Sequence, residues 1–161
     1  LSSMYTLADI LKANCGTLDI RGVAHKGFFA SITDFPSYYA ANMALLNYKS
    51  AQELFHENWP IYTRTNDSCP TQYFNTADVK NSVISNGCQI EGTVENSVIG
   101  RGCVIKKGAV VRNSVVLAEV TIGEGVHVEN EVVDKWARLV HEKEIVSPAE
   151  QPGYIRRNDT L

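Results

Sequence analysis

A chain of 161 residues that is 44% hydrophobic and 20% charged holds enough apolar material for one globular domain plus an appendage. Its formal net charge of −3 supplies no electrostatic footprint for nucleic acid. No apolar run approaches the roughly 20 residues that span a bilayer and no signal peptide is read at the start, so neither a nucleic-acid nor a membrane partner is expected, and a cytoplasmic location is.

In chain order, Ser2 and Ser3 stand where they would cap a helix from about Met4 to Ala13, with Leu7, Ile10 and Leu11 on one face and Gly16 as terminator. The stretches Leu18–Val23 and Phe28–Ile32 read as two short strands about Lys26-Gly27. Two strands and a helix cannot close a core of their own. With Leu1 and not Met at the start, residues 1–48 are therefore expected to be the last part of an α/β domain.

Thr33-Asp34 before Phe35-Pro36 starts the next helix, Asp34 as N-cap and Pro36 in the first turn, where its missing N–H is harmless. It runs through Tyr38, Tyr39, Asn42, Met43, Leu45 and Leu46 to near Asn47. Residues 49–78 begin with a second amphipathic segment, Ser50 to His56. From Trp59-Pro60 to Asp78, where Thr, Asn, Asp, Pro and Ser dominate, they read as an extended linker anchored by Tyr62, Tyr73 and Phe74.

Residues 79–146 are organised by an internal repeat. Asn81-Ser82-Val83 returns as Asn96-Ser97-Val98, as Asn113-Ser114-Val115 and, loosely, as Asn130-Glu131-Val132. A branched aliphatic recurs about every six residues: Ile84 and Ile90; Ile99, Ile105 and Val111; Val116, Ile122 and Val128; Val133, Leu139 and Ile145. Five-residue steps, such as Val79 to Ile84 and Val94 to Ile99, complete each coil. One coil thus has three short sides, the mark of a parallel β-helix; six-residue spacing does not stay on one side of an α-helix.

Two residues before the aliphatic stands something compact: Ser82, Cys88, Ser97, Cys103, Ala109, Ser114, Val120 or Val126. These are expected inside. Gly87, Gly102, Gly108 and Gly125 fall three residues after it, where the chain turns a corner. If each inward Ile or Val contributes roughly 1.5–3 kcal/mol, about a dozen of them hold a prism together. Glu131 and Lys143, where small inward residues stood before, read as a degraded stop, and residues 147–161 as an exposed or loosely docked tail.

The four cysteines, Cys15, Cys69, Cys88 and Cys103, form no C-x-x-C pair or metal-ligand spacing. Cys88 and Cys103 occupy equivalent places in successive coils, and buried reduced thiols are expected there.

The repeat, an aliphatic often followed by Gly (Ile99-Gly100, Ile122-Gly123) with a small residue at the fifth place, resembles the hexapeptide repeat of left-handed β-helices. The resemblance implies a mainly β fold: a single-stranded left-handed parallel β-helix preceded by a small α/β remnant. Its handedness rests on that resemblance alone. Outside the repeat, Gly27 to Asp34, Ser37 to Leu46 and Trp59 to Thr63, followed by Asn81 to Ile90, resemble the C-terminal part of ADP-glucose pyrophosphorylase (glucose-1-phosphate adenylyltransferase). Within the family they are most similar to the D-type, regulatory or non-catalytic subunit of glycogen biosynthesis in Firmicutes.

The resemblance implies an upstream Rossmann-like nucleotidyltransferase domain that makes ADP-glucose from ATP and glucose 1-phosphate with Mg²⁺, and a β-helix that serves assembly and regulation. Catalytic members carry Asp-Val-Gly-Thr at the edge of the site, where this chain has Ser31-Ile32-Thr33-Asp34. A neutral hydroxyl does not replace a carboxylate as an Mg²⁺ ligand, and the glycine-rich nucleotide loop is not among these residues. The fragment is thus expected to be non-catalytic, with no catalytic, cofactor-binding or metal residue of its own. Asp34 as a shifted metal ligand is the weaker reading against Asp34 as helix cap. The expected partner is a pyrophosphorylase subunit in a homo- or hetero-oligomer.

The alternative is a hexapeptide acyltransferase, whose histidine base would have to be His127, expected to point outward beside inward Val128. His141 falls in the irregular last coil, and His25 and His56 lie outside the prism. Arg101, Lys106, Lys107 and Arg112 on one coil could take a phosphorylated effector. Residues 79–146 nevertheless carry eight basic against nine acidic side chains, which favours a mixed solvated surface.

Overall fold

The structure, a computed structural model, describes residues 6–62 and 67–161. The expected prism is present. Its first face stacks β1 (Gln72–Tyr73), β4 (Gln89–Ile90), β7 (Val104–Ile105), β10 (Thr121–Ile122) and β13 (Arg138–Leu139). The second face stacks β2 (Asp78–Lys80), β5 (Thr93–Glu95), β8 (Val110–Arg112), β11 (His127–Glu129) and β14 (Glu144–Val146). The third stacks β3 (Val83–Ile84), β6 (Val98–Ile99), β9 (Val115–Val116), β12 (Glu131–Val133) and β15 (Gly153–Ile155). All pairings are parallel and in register, so Val79, Val94, Val111, Val128 and Ile145 lie one above the other.

The core is the periodic set. Ile90, Ile99, Ile105, Val111, Val116, Ile122, Val128, Val133 and Leu139 are buried, together with the compact residues Cys88, Ser97, Cys103, Ala109, Ser114, Val120 and Val126. Ile84 and Ile145, near the two ends, are only partly buried, because each has a neighbouring coil on one side.

The Asn-Ser-Val triplet is one corner of the prism. Asn81, Asn96, Asn113 and Asn130 all have positive φ, from 42° to 57°, the left-handed region that Asn enters more readily than other side chains. Each serine turns inward and serves two backbone groups. The Ser97 and Ser114 hydroxyls donate to the carbonyls of Glu95 and Arg112 at 2.7 and 2.6 Å. They accept from the amides of Ser114 and Glu131 in the following coil, both at 3.1 Å. Each valine points outward onto the third face. Gly92 and Gly100 answer a different demand: a Cβ on Gly100 would lie 2.7 Å from the Ala118 nitrogen, and one on Gly92 would lie 2.4 Å from the Ala109 carbonyl oxygen.

Four expectations are corrected. Neither Leu18–Val23 nor Phe28–Ile32 forms a strand: with no neighbouring strand to complete a ladder, the backbone has only local partners such as Ile20 N–H to Leu18 C=O at 2.9 Å. The first helix is α1 (Leu7–Asn14), capped by Thr6 in a reciprocal bond with Asp9; the expected Ser2 and Ser3 caps lie outside the described residues. The linker is not extended up to Asp78, since Gln72–Tyr73 is already paired to β4.

The C-terminal residues are not a loose tail. After a detour through Pro148 and Pro152 the chain returns as β15 on β12, buries Ile155, and ends with Thr160 bridged to Arg138 and Leu161 packed against the core. Glu131 therefore does not stop the coil.

The remaining helices are α2 (Phe35–Ala44) and α3 (Tyr48–Leu54). Asp34 caps α2, accepting the Ser37 amide at 2.8 Å, with Pro36 in the first turn as expected. Among the described residues up to position 62 none is buried.

Candidate functional site

The prism carries side chains that make contacts, and the most developed contact is where α2 lies on the third face. The Val115 and Val132 side chains, outward on β9 and β12, are each 1% exposed, whereas Val83 on β3 is 45% exposed. What covers them is α2. Tyr39 donates its hydroxyl to the Asn113 carbonyl, at the corner where the triplet turns, and the Phe35 ring stands edge-on to Tyr154 of β15, centroids 5.9 Å apart. One helix thus touches two coils that are far apart in sequence.

Beside this junction the buried Glu131, 4% exposed, replaces the inward serine. Its carboxylate accepts the Ser147 hydroxyl at 2.5 Å. A Cβ on Gly153 would fall 2.1 Å from a Glu131 oxygen, so any larger residue there would have to displace the Glu131 carboxylate. Burial raises the Glu131 carboxyl above its ordinary range, and the Ser147 hydrogen bond offsets part of the rise. Sequence reading singled out Glu131 by its departure from Ser in the fourth triplet, but as a stop to the coil and not as a buried, hydrogen-bonded carboxylate. Tyr154 adds a second tie, donating to Asp134 at 2.8 Å, and the Arg157 guanidinium lies 4.2 Å over the Trp136 ring.

The other expected residues are dispersed. Arg101 sits at the corner leading into β7, Lys106 and Lys107 at the corner leading out of it, and Arg112 on the second face, 3.3 Å from Glu95. The four share a coil but not a concave site. His127 points outward from β11 as expected, half-buried, and pairs with Glu129 at 3.1 Å. His25 and His56 help line a hollow of about 570 Å³ beside Trp59 and Glu53, and His141 is exposed. Among the described residues no group of three or more His, Cys, Asp or Glu side chains could hold a metal ion.

Cys88 and Cys103 are buried and free, donating to the Gly100 and Leu117 carbonyls at 3.0 Å each. The neighbouring Cys88 thiol, and then burial, push the Cys103 thiol up. Cys103 therefore acts as a neutral packing group. Ser31 is exposed, and Asp34 is engaged as the α2 cap, its carboxyl lowered by the Ser37 hydroxyl and amide.

An apolar hollow of about 500 Å³ lies between α2, α3 and residues 25–32, lined by Phe28, Phe29, Ile32, Tyr38, Leu45 and Leu54. Among the described residues no helix is long and apolar enough to cross a membrane.

Comparison with known proteins agrees with this architecture. Residues 70–151 match the family described as GlmU-like, C-terminal hexapeptide, in agreement with the left-handed hexapeptide β-helix expected from the repeat. The chain is 36% identical over 108 residues to a glucose-1-phosphate adenylyltransferase of Fervidobacterium nodosum, covering 67% of this chain and 26% of that protein. It is 32% identical over 152 residues to the glycogen biosynthesis protein GlgD of Bacillus subtilis, covering 94% of this chain and 44% of that protein. A GlgD of Geobacillus stearothermophilus is 45% identical over 71 residues, 44% of this chain and 21% of that protein. The chain spans less than half the length of these relatives, and they bear out the resemblance read from the sequence.

Proposed function

The chain belongs to the GlmU-like C-terminal hexapeptide family, and from that premise we propose that it is the assembly and regulatory module of a non-catalytic, cytoplasmic, adenylyltransferase-family subunit in glycogen biosynthesis. The observation that carries the reading is the likeness to GlgD over 94% of the chain, which includes α2 and α3 and not the repeat alone. A free-standing hexapeptide protein would share the coils and nothing before them. The junction supports the same reading: Tyr39 and Phe35 tie the segment before the prism to two of its coils, so a load on the prism reaches that segment through packed side chains.

In this role the module contributes binding surface and no chemistry. Ser31 leaves the family's metal position without a carboxylate, and the activity belongs to a catalytic partner. Co-expression with a glucose-1-phosphate adenylyltransferase catalytic subunit, followed by sizing, is expected to yield a mixed oligomer; two species that never co-elute overturn the proposal. Turnover of acetyl-CoA with an acceptor, abolished by His127→Ala, would instead establish the acyltransferase alternative.

A further inference from the structure

Each coil enters the first face through a two-residue corner: Asn86-Gly87, Arg101-Gly102, Ala118-Glu119 and Lys135-Trp136. The second residue of each has positive φ, 79°, 66°, 63° and 61° in turn. The N–H groups of Gly102, Glu119 and Trp136 donate to the carbonyls of Asn86, Arg101 and Ala118 one coil back, at 3.1, 2.8 and 3.1 Å. Gly87 opens the series, and among the described residues no carbonyl accepts its N–H. The side chain before it, Asn86, is exposed.

Asn86-Gly87 is the one Asn-Gly pair in the sequence. Such a pair carries its own electrophile and nucleophile: the nitrogen of the second residue can close a five-membered ring on the carboxamide carbon, and glycine puts no Cβ in the way and leaves the backbone free to turn. The triplet asparagines are held differently. The amides that follow Asn96, Asn113 and Asn130 donate to the hydroxyls of Ser82, Ser97 and Ser114, all at 3.1 Å. The carboxamides of Asn81 and Asn130 donate in turn to Asn96 and to the Ser147 carbonyl.

We propose that Asn86 is a site of spontaneous covalent modification, a deamidation that loosens the first coil. The Gly87 nitrogen bonds to Asn86 Cγ, and the carboxamide nitrogen leaves as ammonia with the Gly87 proton, which gives a cyclic imide. Water then cleaves one of the two C–N bonds of the imide. Cleavage at Cγ yields aspartate; cleavage at the main-chain carbonyl carbon yields isoaspartate, in which the chain runs through Cβ and Cγ. Water is the only co-reactant. Isoaspartate adds an atom to the main chain of a tight corner and moves the carbonyl that the Gly102 N–H uses. That corner lies between β3 and β4, and β4 holds β1 through Gln72 N–H to Cys88 C=O and Phe74 N–H to Ile90 C=O, both at 2.9 Å. The damage is thus confined to the first coil. It needs no partner and stands apart from the role proposed above.

The test is to hold the whole folded chain in mildly alkaline buffer at 37 °C and follow each asparagine by peptide mass. Isoaspartate is read by labelling with an isoaspartate-specific carboxyl methyltransferase and S-adenosylmethionine. Conversion at Asn86 is expected at least about tenfold faster than at any other asparagine, a barrier difference of about 1.4 kcal/mol. Asn86→Gln, which cannot close the five-membered ring, is expected to remove the label. Hydrogen exchange of the converted chain is expected to quicken at Gln72, Phe74 and Gly102 and to stay unchanged in β10 and β13. Freshly prepared Asn86→Asp, which adds the charge without the extra main-chain atom, should exchange like wild type. An unconverted Asn86, conversion spread evenly over the asparagines, or a label that persists in Asn86→Gln would overturn the site, and unchanged exchange in the converted chain would overturn the loosening.

Discussion

The residues up to position 62 and the prism are built on opposite terms. In the prism every six-residue step brings an aliphatic onto the same three stacks, so a short stretch of chain meets its core partners one coil away. The earlier segment has well-formed helix caps at Thr6, Asp34 and Asn47, yet no buried residue among those described. Caps contribute about 1 kcal/mol each, whereas a packed aliphatic contributes roughly 1.5–3. Local signals thus suffice to shape helices, while only repetition closes a core within this chain. The two regions meet through α2, whose covered valines are the only described outward side chains on the third face buried as deeply as the core.

The contrast predicts where substitutions are felt. The largest effect is expected from Ile105→Asp, which buries an unpaired carboxylate at a fully enclosed position and costs several kcal/mol, enough to abolish the cooperative thermal transition seen by circular dichroism. Leu7→Asp, on the exposed face of α1, is expected to leave that transition in place, and a matching collapse would show that the two regions are not distinct in kind.

Next comes Gly100→Ala. The added methyl meets the backbone of the following coil rather than a side chain that can swing away, and about 2–3 kcal/mol should be lost in denaturant unfolding.

Glu131→Gln sharpens the comparison through pH. Because burial raises the folded-state pKa, the native chain holds that proton more tightly than the unfolded chain. The group's stabilisation is therefore full at pH below the ordinary carboxylate range and is lost as pH climbs through the raised value. Wild type and variant should melt alike in acid, with the variant melting higher at neutral pH; equal melting at both would mean that the carboxylate is not desolvated.

A smaller, local effect is expected from Tyr39→Phe, which removes one hydrogen bond worth about 1 kcal/mol. It should speed hydrogen exchange in α2 without moving exchange in the prism strands. Smallest of all, Lys107→Ala on the solvated corner should shift stability by less than about 0.5 kcal/mol.

Much of the prism was legible beforehand because its signal is periodic and its contacts are short-range. The inward ladder, the glycine corners, the stacked Cys88 and Cys103, and Asp34 as the start of α2 all follow from residue type at a fixed interval. The positive-φ asparagines could have been read from the same triplet. Leu18–Val23 and Phe28–Ile32 misled for the converse reason: apolar β-formers state a preference, but a strand exists only where another strand completes its hydrogen bonds. Gln72–Tyr73 and Gly153–Ile155 escaped notice because their registers are set by threonine, proline and a detour, with no periodic aliphatic to announce them.

From its residues alone the chain commits to a three-sided coil, since a six-residue recurrence of branched aliphatics has one economical way to hide from water. Where the flanking pieces go is another matter. That α2 lies over Val115 and Val132, that Glu131 sits buried against Gly153, and that the chain end returns to bury Ile155 are consequences of surfaces that exist only once the coils have stacked, and no local pattern encodes a contact with a surface that has yet to form.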